Sequence, residues 1–183
     1  MGYTTMILND EKIIEIVNDF NGSSVKYDCI LYGHIDGGLE NVNPSLVDDA
    51  IFISGAIDTR AEEFVDKALD AADKAASVVG AFGLAADALD AMGEGLKQKP
   101  AILTFYDKTI SIFGFDALGG KITCRIDIPM KGVTQVKKGG FLVFKSATLF
   151  FHDGSKIILG VNTKVLGIKT QKENALKFLQ FLD

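Results

Sequence analysis

The sequence predicts an α+β fold in which an antiparallel β-barrel or sandwich of about seven strands is closed by a C-terminal helix. Three observations support this prediction. Residues 101–170 alternate apolar and polar side chains in short runs, as half-buried strands do. Glycine-containing turns separate these runs. Residues 171–182 instead place leucines at helical spacing, and such an amphipathic helix is expected to pack on the strands.

The predicted strands of this region are separated by identifiable turns. Asp107-Lys108 and Gly139-Gly140 are predicted to be tight turns, and Asp153-Gly154 is a strong hairpin signal. The predicted strands cover residues 102–107, 109–115, 121–128, 132–138, 141–151 and 156–161, with 164–170 as a further candidate. Strand 121–128 alternates most clearly, so its apolar side chains are expected to share one face. They are Ile122, Cys124, Ile126 and Ile128.

Helices are predicted near both ends of the chain. Asn9 or Asp10 is a candidate N-cap of the first helix, and Asn21-Gly22 is its stop signal. Its apolar residues at helical spacing are Ile13, Ile16, Val17 and Phe20. Thr170 and Glu173 form a capping box that begins the last helix. Its predicted apolar face consists of Leu176, Leu179 and Leu182, with Phe178 nearby.

The N-terminal half combines a predicted strand with a long helical segment. Residues 25–36 are rich in Val, Ile, Tyr and Cys and are predicted to form a strand, whereas residues 44–56 fit either a helix or a strand. Thr59 and Glu62 then form a capping box that opens an alanine-rich helix. Its apolar residues keep a 3-4 spacing that favours helix pairing. This seam consists of Val65, Ala68, Ala72, Ala75, Val79, Phe82, Ala86 and Leu89.

Composition and cysteine usage favour a cytoplasmic globular protein. No run of about 18 apolar residues and no secretory signal pattern is visible. The two cysteines, Cys29 and Cys124, lie far apart in predicted strands, so we expect reduced, buried thiols.

The net charge of −5 conceals opposite charges on the two halves. Residues 1–98 carry 6 basic and 18 acidic side chains, and residues 99–183 carry 13 basic and 6 acidic ones. Two halves of opposite charge are expected either to face each other or to face different partners. A solvated surface rich in Asp and Glu would produce the same charge distribution.

Four stretches of the C-terminal region carry a family resemblance. Residues 102–113 are ILTFYDKTISIF and residues 128–139 are IPMKGVTQVKKG. Residues 152–159 are HDGSKIIL, and residues 175–182 are ALKFLQFL. In order, these resemble the "xLTxKRLxF" hairpin, the "IPLxDIxxVxxKKG" stretch, the "DG" hairpin and the "AxxFxxxL" helix of bacterial pleckstrin-homology-like (PH-like) and GRAM-like domains.

The resemblance implies a PH-like domain whose first strand is supplied by residues 25–35. A long segment separates this strand from the second one, where the family usually has a short loop. We therefore favour three parts: an N-terminal helix (1–22), a PH-like domain (23–36 plus 99–183) and an acidic, alanine-rich helical insertion (37–98). The alternative is an N-terminal helical region followed by a complete small barrel.

Basic residues of the C-terminal half are candidates for binding an anionic surface, although a solvated strand face uses the same residues. They are Lys121, Arg125, Lys131, Lys137, Lys138, Lys145 and Lys156. Phosphoinositide-binding PH domains place a Lys and a Lys/Arg-x-Arg on their first two strands. Residues 25–36 and 101–115 lack this arrangement, so specific inositol-phosphate binding is not expected.

Catalysis, metal binding and nucleic-acid binding are not expected. His34 and His152 are the only histidines, and no catalytic or metal-binding motif includes them. Arg60 and Arg125 are the only arginines, which argues against base or phosphate readout. We expect a protein that is not an enzyme and holds no cofactor.

Two functional hypotheses follow. The first is a non-enzymatic protein-interaction or assembly module that pairs with itself or a partner through the seam. The second is peripheral binding to an anionic membrane through the basic C-terminal half, which the acidic helical segment masks.

Overall fold

A computed structural model describes residues 8–37, 49–52, 99–116 and 119–183, and residues 49–52 are described by their backbone alone. The described part contains two α-helices, a short 3-10 helix (Met130–Gly132) and eight strands. The α-helices are α1 (Asp10–Asn21) and α2 (Gln171–Phe181). The strands are β1 (Cys29–Gly37), β2 (Asp49–Phe52), β3 (Lys99–Tyr106), β4 (Thr109–Asp116), β5 (Lys121–Pro129), β6 (Val133–Phe141), β7 (Phe144–Phe151) and β8 (Lys156–Asn162).

All strands join one antiparallel sheet in the order β2-β5-β4-β3-β1-β8-β7-β6. Strands β3, β4 and β5 form a first meander, and β6, β7 and β8 form a second. Strand β1 lies between them and pairs with β3 on one side and β8 on the other. The predicted α+β class, the antiparallel strands and both terminal helices are confirmed. Among the described strands β2 and β6 are unjoined edges, so closure into a barrel is not seen.

Apolar side chains fill two clusters on opposite faces of the sheet. The inner cluster takes side chains from both meanders and is covered by α2 through Ala175, Phe178 and Leu182. The outer cluster lies between the first meander and α1, which contributes Ile13 and Val17. The predicted apolar face is correct in part: Leu182 and Phe178 are buried, whereas Leu176 is exposed and Leu179 is only partly buried.

Local sequence explains why α1 begins and ends where it does. The Asn9 side chain accepts a hydrogen bond from the Lys12 amide at 2.8 Å, which satisfies a free donor of the first turn. Gly22 follows the helix with φ +67°, a left-handed conformation that glycine adopts without steric cost. The Asn9 cap and the stop at Asn21-Gly22 are therefore confirmed.

The predicted turns at Asp107-Lys108 and Asp153-Gly154 are present, whereas the one at Gly139-Gly140 is wrong. Both Asp107 and Lys108 have positive φ, as the tight turn of a two-residue hairpin requires. Strand β6 instead continues through both glycines, and Phe141 pairs with Phe144. The turn falls at Leu142-Val143, where Leu142 has φ +51°.

Three further details differ from the sequence predictions. Ile122 leaves the face of Cys124 for the outer cluster, because Thr123 is an extra residue in the β4–β5 pairing and reverses the alternation. Residues 164–170 form no strand and contain only a bridge between Val165 and Ile168. Thr170 makes no side-chain cap on α2, since its hydroxyl donates to the Asp10 carboxylate instead.

Most of the proposed insertion lies outside the described residues. Residues 49–52 form β2 and pair with β5, so the strand alternative holds for this part of 44–56. The capping box at Thr59 and the helix-pairing seam fall on residues that are not described, and both stay predictions.

Candidate functional site

The outer face of the sheet is covered differently in the two meanders. Strands β4 and β5 bury side chains on both faces because α1 packs over them. In the second meander, β6 buries none of its side chains, and β7 buries only alternate ones. Among the described residues, the second meander therefore presents a less covered outer face and an exposed hairpin end.

The β6–β7 hairpin ends in an exposed apolar tip, which we define as Phe141, Leu142 and Phe144. Their side chains are 76%, 69% and 68% exposed. Leu142 also occupies a left-handed position that favours glycine or asparagine over a branched apolar residue. Exposure of large apolar side chains at a strained turn does not stabilise the fold, so it suggests a role in binding.

A second exposed apolar turn begins beside this tip. Thr163 donates its amide hydrogen to the Val143 carbonyl at 2.8 Å, which ties the chain after β8 to the tip. Val165 and Ile168 then close a tight turn in which Gly167 has φ +91°. Leu166 lies at its apex and is 89% exposed. We call residues 165–168 the Leu166 turn.

The sequence of this region is almost entirely positive, although Asp10 accepts hydrogen bonds from the Lys169 and Thr170 amides and Asp183 pairs with Lys138. Residues 130–172 contain a single acidic residue, Asp153, and eight lysines. The lysines are Lys131, Lys137, Lys138, Lys145, Lys156, Lys164, Lys169 and Lys172. Asp153 lies in the β7–β8 turn, at the far end of β7 from the apolar tip, a distance of about 25 Å for eight strand residues.

The seven candidate anionic-surface residues do not form one surface. Five of them belong to the second meander and the short turn before it. Of these, Lys138 pairs with Asp183, and the Lys137 ammonium lies 5.4 Å from the Phe150 ring centroid. Lys121 and Arg125 lie on β5, in the first meander.

Arg125 belongs to a polar network beneath α1. Its guanidinium donates two hydrogen bonds of 2.8 Å to Asp127, and a third of 2.9 Å to the Asn21 side chain. Asp127 also accepts from the Ser111 hydroxyl at 2.6 Å. The guanidinium lies 5.6 Å from the Phe113 ring centroid. This geometry fixes the end of α1 on the sheet, and Asp127 balances the charge of Arg125.

Sequence reasoning missed a buried glutamine that joins β1 to β8, the neighbouring strand of the second meander. Near Tyr32 and Asn162, β1 and β8 no longer pair, and the Gln171 side chain fills the opening. Its amide nitrogen donates to the Tyr32 and Asn162 carbonyls at 2.7 and 2.6 Å, and its oxygen accepts from the Tyr32 amide at 3.1 Å. A Gln at a helix start carries no sequence signal for this role.

His34, Cys29 and Cys124, which we considered for metal binding or catalysis, are buried within the fold. His34 packs against Gly160, and its Nε2 lies 3.1 Å from the Asp36 carboxylate. Cys29 and Cys124 are both free and buried, and burial raises the pKa of each thiol to about 12. Within the described ranges, no three His, Cys, Asp or Glu side chains are placed to hold a metal ion.

The comparisons with known proteins gave no family. No protein-family model matches the chain, and no curated protein matches its sequence. Separately, neither described helix has the length and apolar character needed to cross a bilayer.

Proposed function

We propose that the protein is built on a PH-like domain. Two observations support this: two three-stranded meanders are joined through one strand, and a C-terminal helix packs on the inner cluster. In this interpretation β1 is the first strand of the domain, and residues 99–183 supply the rest. The residues between β1 and β3, 38–98, are then an insertion between the first and second strands.

We further propose that this domain is a non-enzymatic interaction module. The observation that carries the proposal is the apolar tip, whose large side chains remain in solvent beside a well-packed core. Exposed apolar groups that do not support the fold mark contact sites for other molecules.

A photo-cross-linking amino acid at position 142 of the full chain tests this proposal in cells. We expect adducts with cellular macromolecules from position 142. The matched control is position 176 on α2, because Leu176 is also exposed, at 49%, but lies away from the tip. Equal adduct yields from the two positions would contradict the proposal.

Self-association through the seam is a separate proposal that rests on the sequence alone. Light scattering of the purified chain checks it, and Val79→Asp with Phe82→Asp is expected to convert an oligomer into a monomer. A wild-type monomer would rule it out.

A further inference from the structure

The apolar tip forms one end of the second meander, and the Leu166 turn follows β8, with Val165 and Ile168 packed in the outer cluster. The apolar tip is a convex hairpin end, and the Leu166 turn starts two residues after the Thr163 amide that bonds to Val143. Together they present four large apolar side chains to solvent. A convex apolar end of this kind fits a deformable apolar medium better than it fits a flat protein surface.

Lysines flank both turns. Lys145 directly follows the apolar tip, and Lys164 lies between Thr163 and the Leu166 turn. Within residues 130–172 the only acidic side chain is at the far end of β7. The Asp10 carboxylate of α1 lies beyond the Leu166 turn, where it accepts hydrogen bonds from the Lys169 and Thr170 amides. Apolar side chains with Lys145 and Lys164 beside them match the order of a lipid leaflet, with hydrocarbon below anionic headgroups.

The residue types favour a membrane over a protein partner. Central contacts in protein interfaces are enriched in Trp, Tyr and Arg, whereas the two turns carry Phe and Leu with Lys around them. Lysine is a flexible point charge, which suits a diffuse layer of headgroups better than one shaped pocket.

We infer that the apolar tip and the Leu166 turn insert side by side into the surface of an anionic bilayer, with Lys145 and Lys164 held at the headgroups. This inference rests on the proposed interaction function of the tip and names its partner. Recognition depends on charge and apolar contact and requires no particular headgroup.

Tryptophan fluorescence tests insertion directly, because the chain contains no tryptophan of its own. We expect the emission of Leu142→Trp to shift to shorter wavelength and to be quenched by brominated lipid when vesicles of phosphatidylcholine and phosphatidylglycerol are added. The same vesicles should leave the emission of Leu176→Trp unchanged. Phe144→Trp provides a second probe of the tip if Leu142→Trp fails to fold.

Vesicle sedimentation with the full chain tests the charges. Lys164→Glu is expected to lower affinity for the anionic vesicles by roughly thirtyfold, since each charge near such a surface changes affinity about fivefold. Lys156→Glu is the matched control, because both lysines are exposed, Lys156 begins β8, and Lys164 lies just beyond the other end of that strand. Its effect is expected to be several times smaller. Wild-type binding should also weaken at high salt and on pure phosphatidylcholine.

The outcomes separate this inference from the function on which it rests. Membrane insertion is overturned if the wild-type protein does not bind anionic vesicles. It is also overturned if Leu142→Trp and Leu176→Trp give the same fluorescence response. If position 142 nevertheless cross-links specifically to protein in cells, the interaction function stands and its partner is a protein.

Discussion

Of the two α-helices that the structure describes, α1 lies on the outer face of the first meander, and neither lies on the outer face of the second. Helix α1 converts β4 and β5 into strands that are buried on both faces, and a polar network around Arg125 fixes the helix there. In the second meander, β6 and the apolar tip are largely exposed, and the outer side chains of β7 are half-buried. Similar strands thus serve stability in one half of the sheet and, under the proposed function, contact with other molecules in the other half.

The largest difference in stability is expected between alanine variants of two phenylalanines, one in each meander. Phe113→Ala removes a fully buried ring that contacts Phe20 and Tyr27, so it should lower the free energy of unfolding by about 3–5 kcal/mol. Phe144→Ala at the apolar tip should change it by less than about 0.5 kcal/mol. Urea denaturation measures both, and similar losses would contradict the comparison.

The Arg125 network is expected to rank next. Asp127→Ala leaves the partly buried guanidinium without its main partner, at a cost of about 2–3 kcal/mol. Glu173→Ala removes an exposed ion pair with Lys177 and should leave the denaturation midpoint unchanged. If the two variants unfold at the same urea concentration, the network does not hold α1 in place.

Replacing Gln171, which joins β1 to β8, should have an intermediate effect on stability. Gln171→Ala leaves up to three backbone groups of β1 and β8 unpaired and should cost about 1–3 kcal/mol. Gln180→Ala, on the exposed side of the same helix, should be nearly neutral. Thermal unfolding of the two variants checks this, and an unaffected Gln171→Ala would mean that water replaces the side chain.

The smallest expected effect is the contribution of Asp10 to the pH dependence of stability. Hydrogen bonds from Thr170 and the Lys169 amide hold the pKa of Asp10 below its ordinary value of 3.8. Its contribution to stability is therefore present above that value and is lost as the pH falls through the lower, folded-state pKa. Asp10→Asn should flatten the acid side of the stability profile, as followed by circular dichroism. An unchanged profile would show that the contact does not form in solution.

The sequence predicted elements whose signals are local. Asn9, Gly22 and Asp153-Gly154 act through their own backbone conformation, so their capping and turn positions were recognisable. The turn predicted at Gly139-Gly140 was wrong because a glycine pair is also tolerated inside a strand. There the pairing with β7, and not the local sequence, decides the backbone conformation.

Features that depend on distant contacts were beyond sequence reasoning. The extra residue Thr123 appears only when β5 is aligned with β4, and the partner of Thr170 lies 160 residues away in Asp10. The apolar tip was predicted as part of a strand, and only the observed pairing of Phe141 with Phe144 places it at a hairpin end. The exposure of the apolar tip could not be predicted, because it depends on α1 packing on the first meander and not on the second.

Amide hydrogen exchange of the full chain, with and without anionic vesicles, tests the central comparison most directly. We expect vesicles to slow exchange at residues 141–145 and 163–167 and to leave β4 and β5 unchanged, because those strands are already protected. Slower exchange in α1 and the first meander, with no change at the apolar tip, would contradict the account.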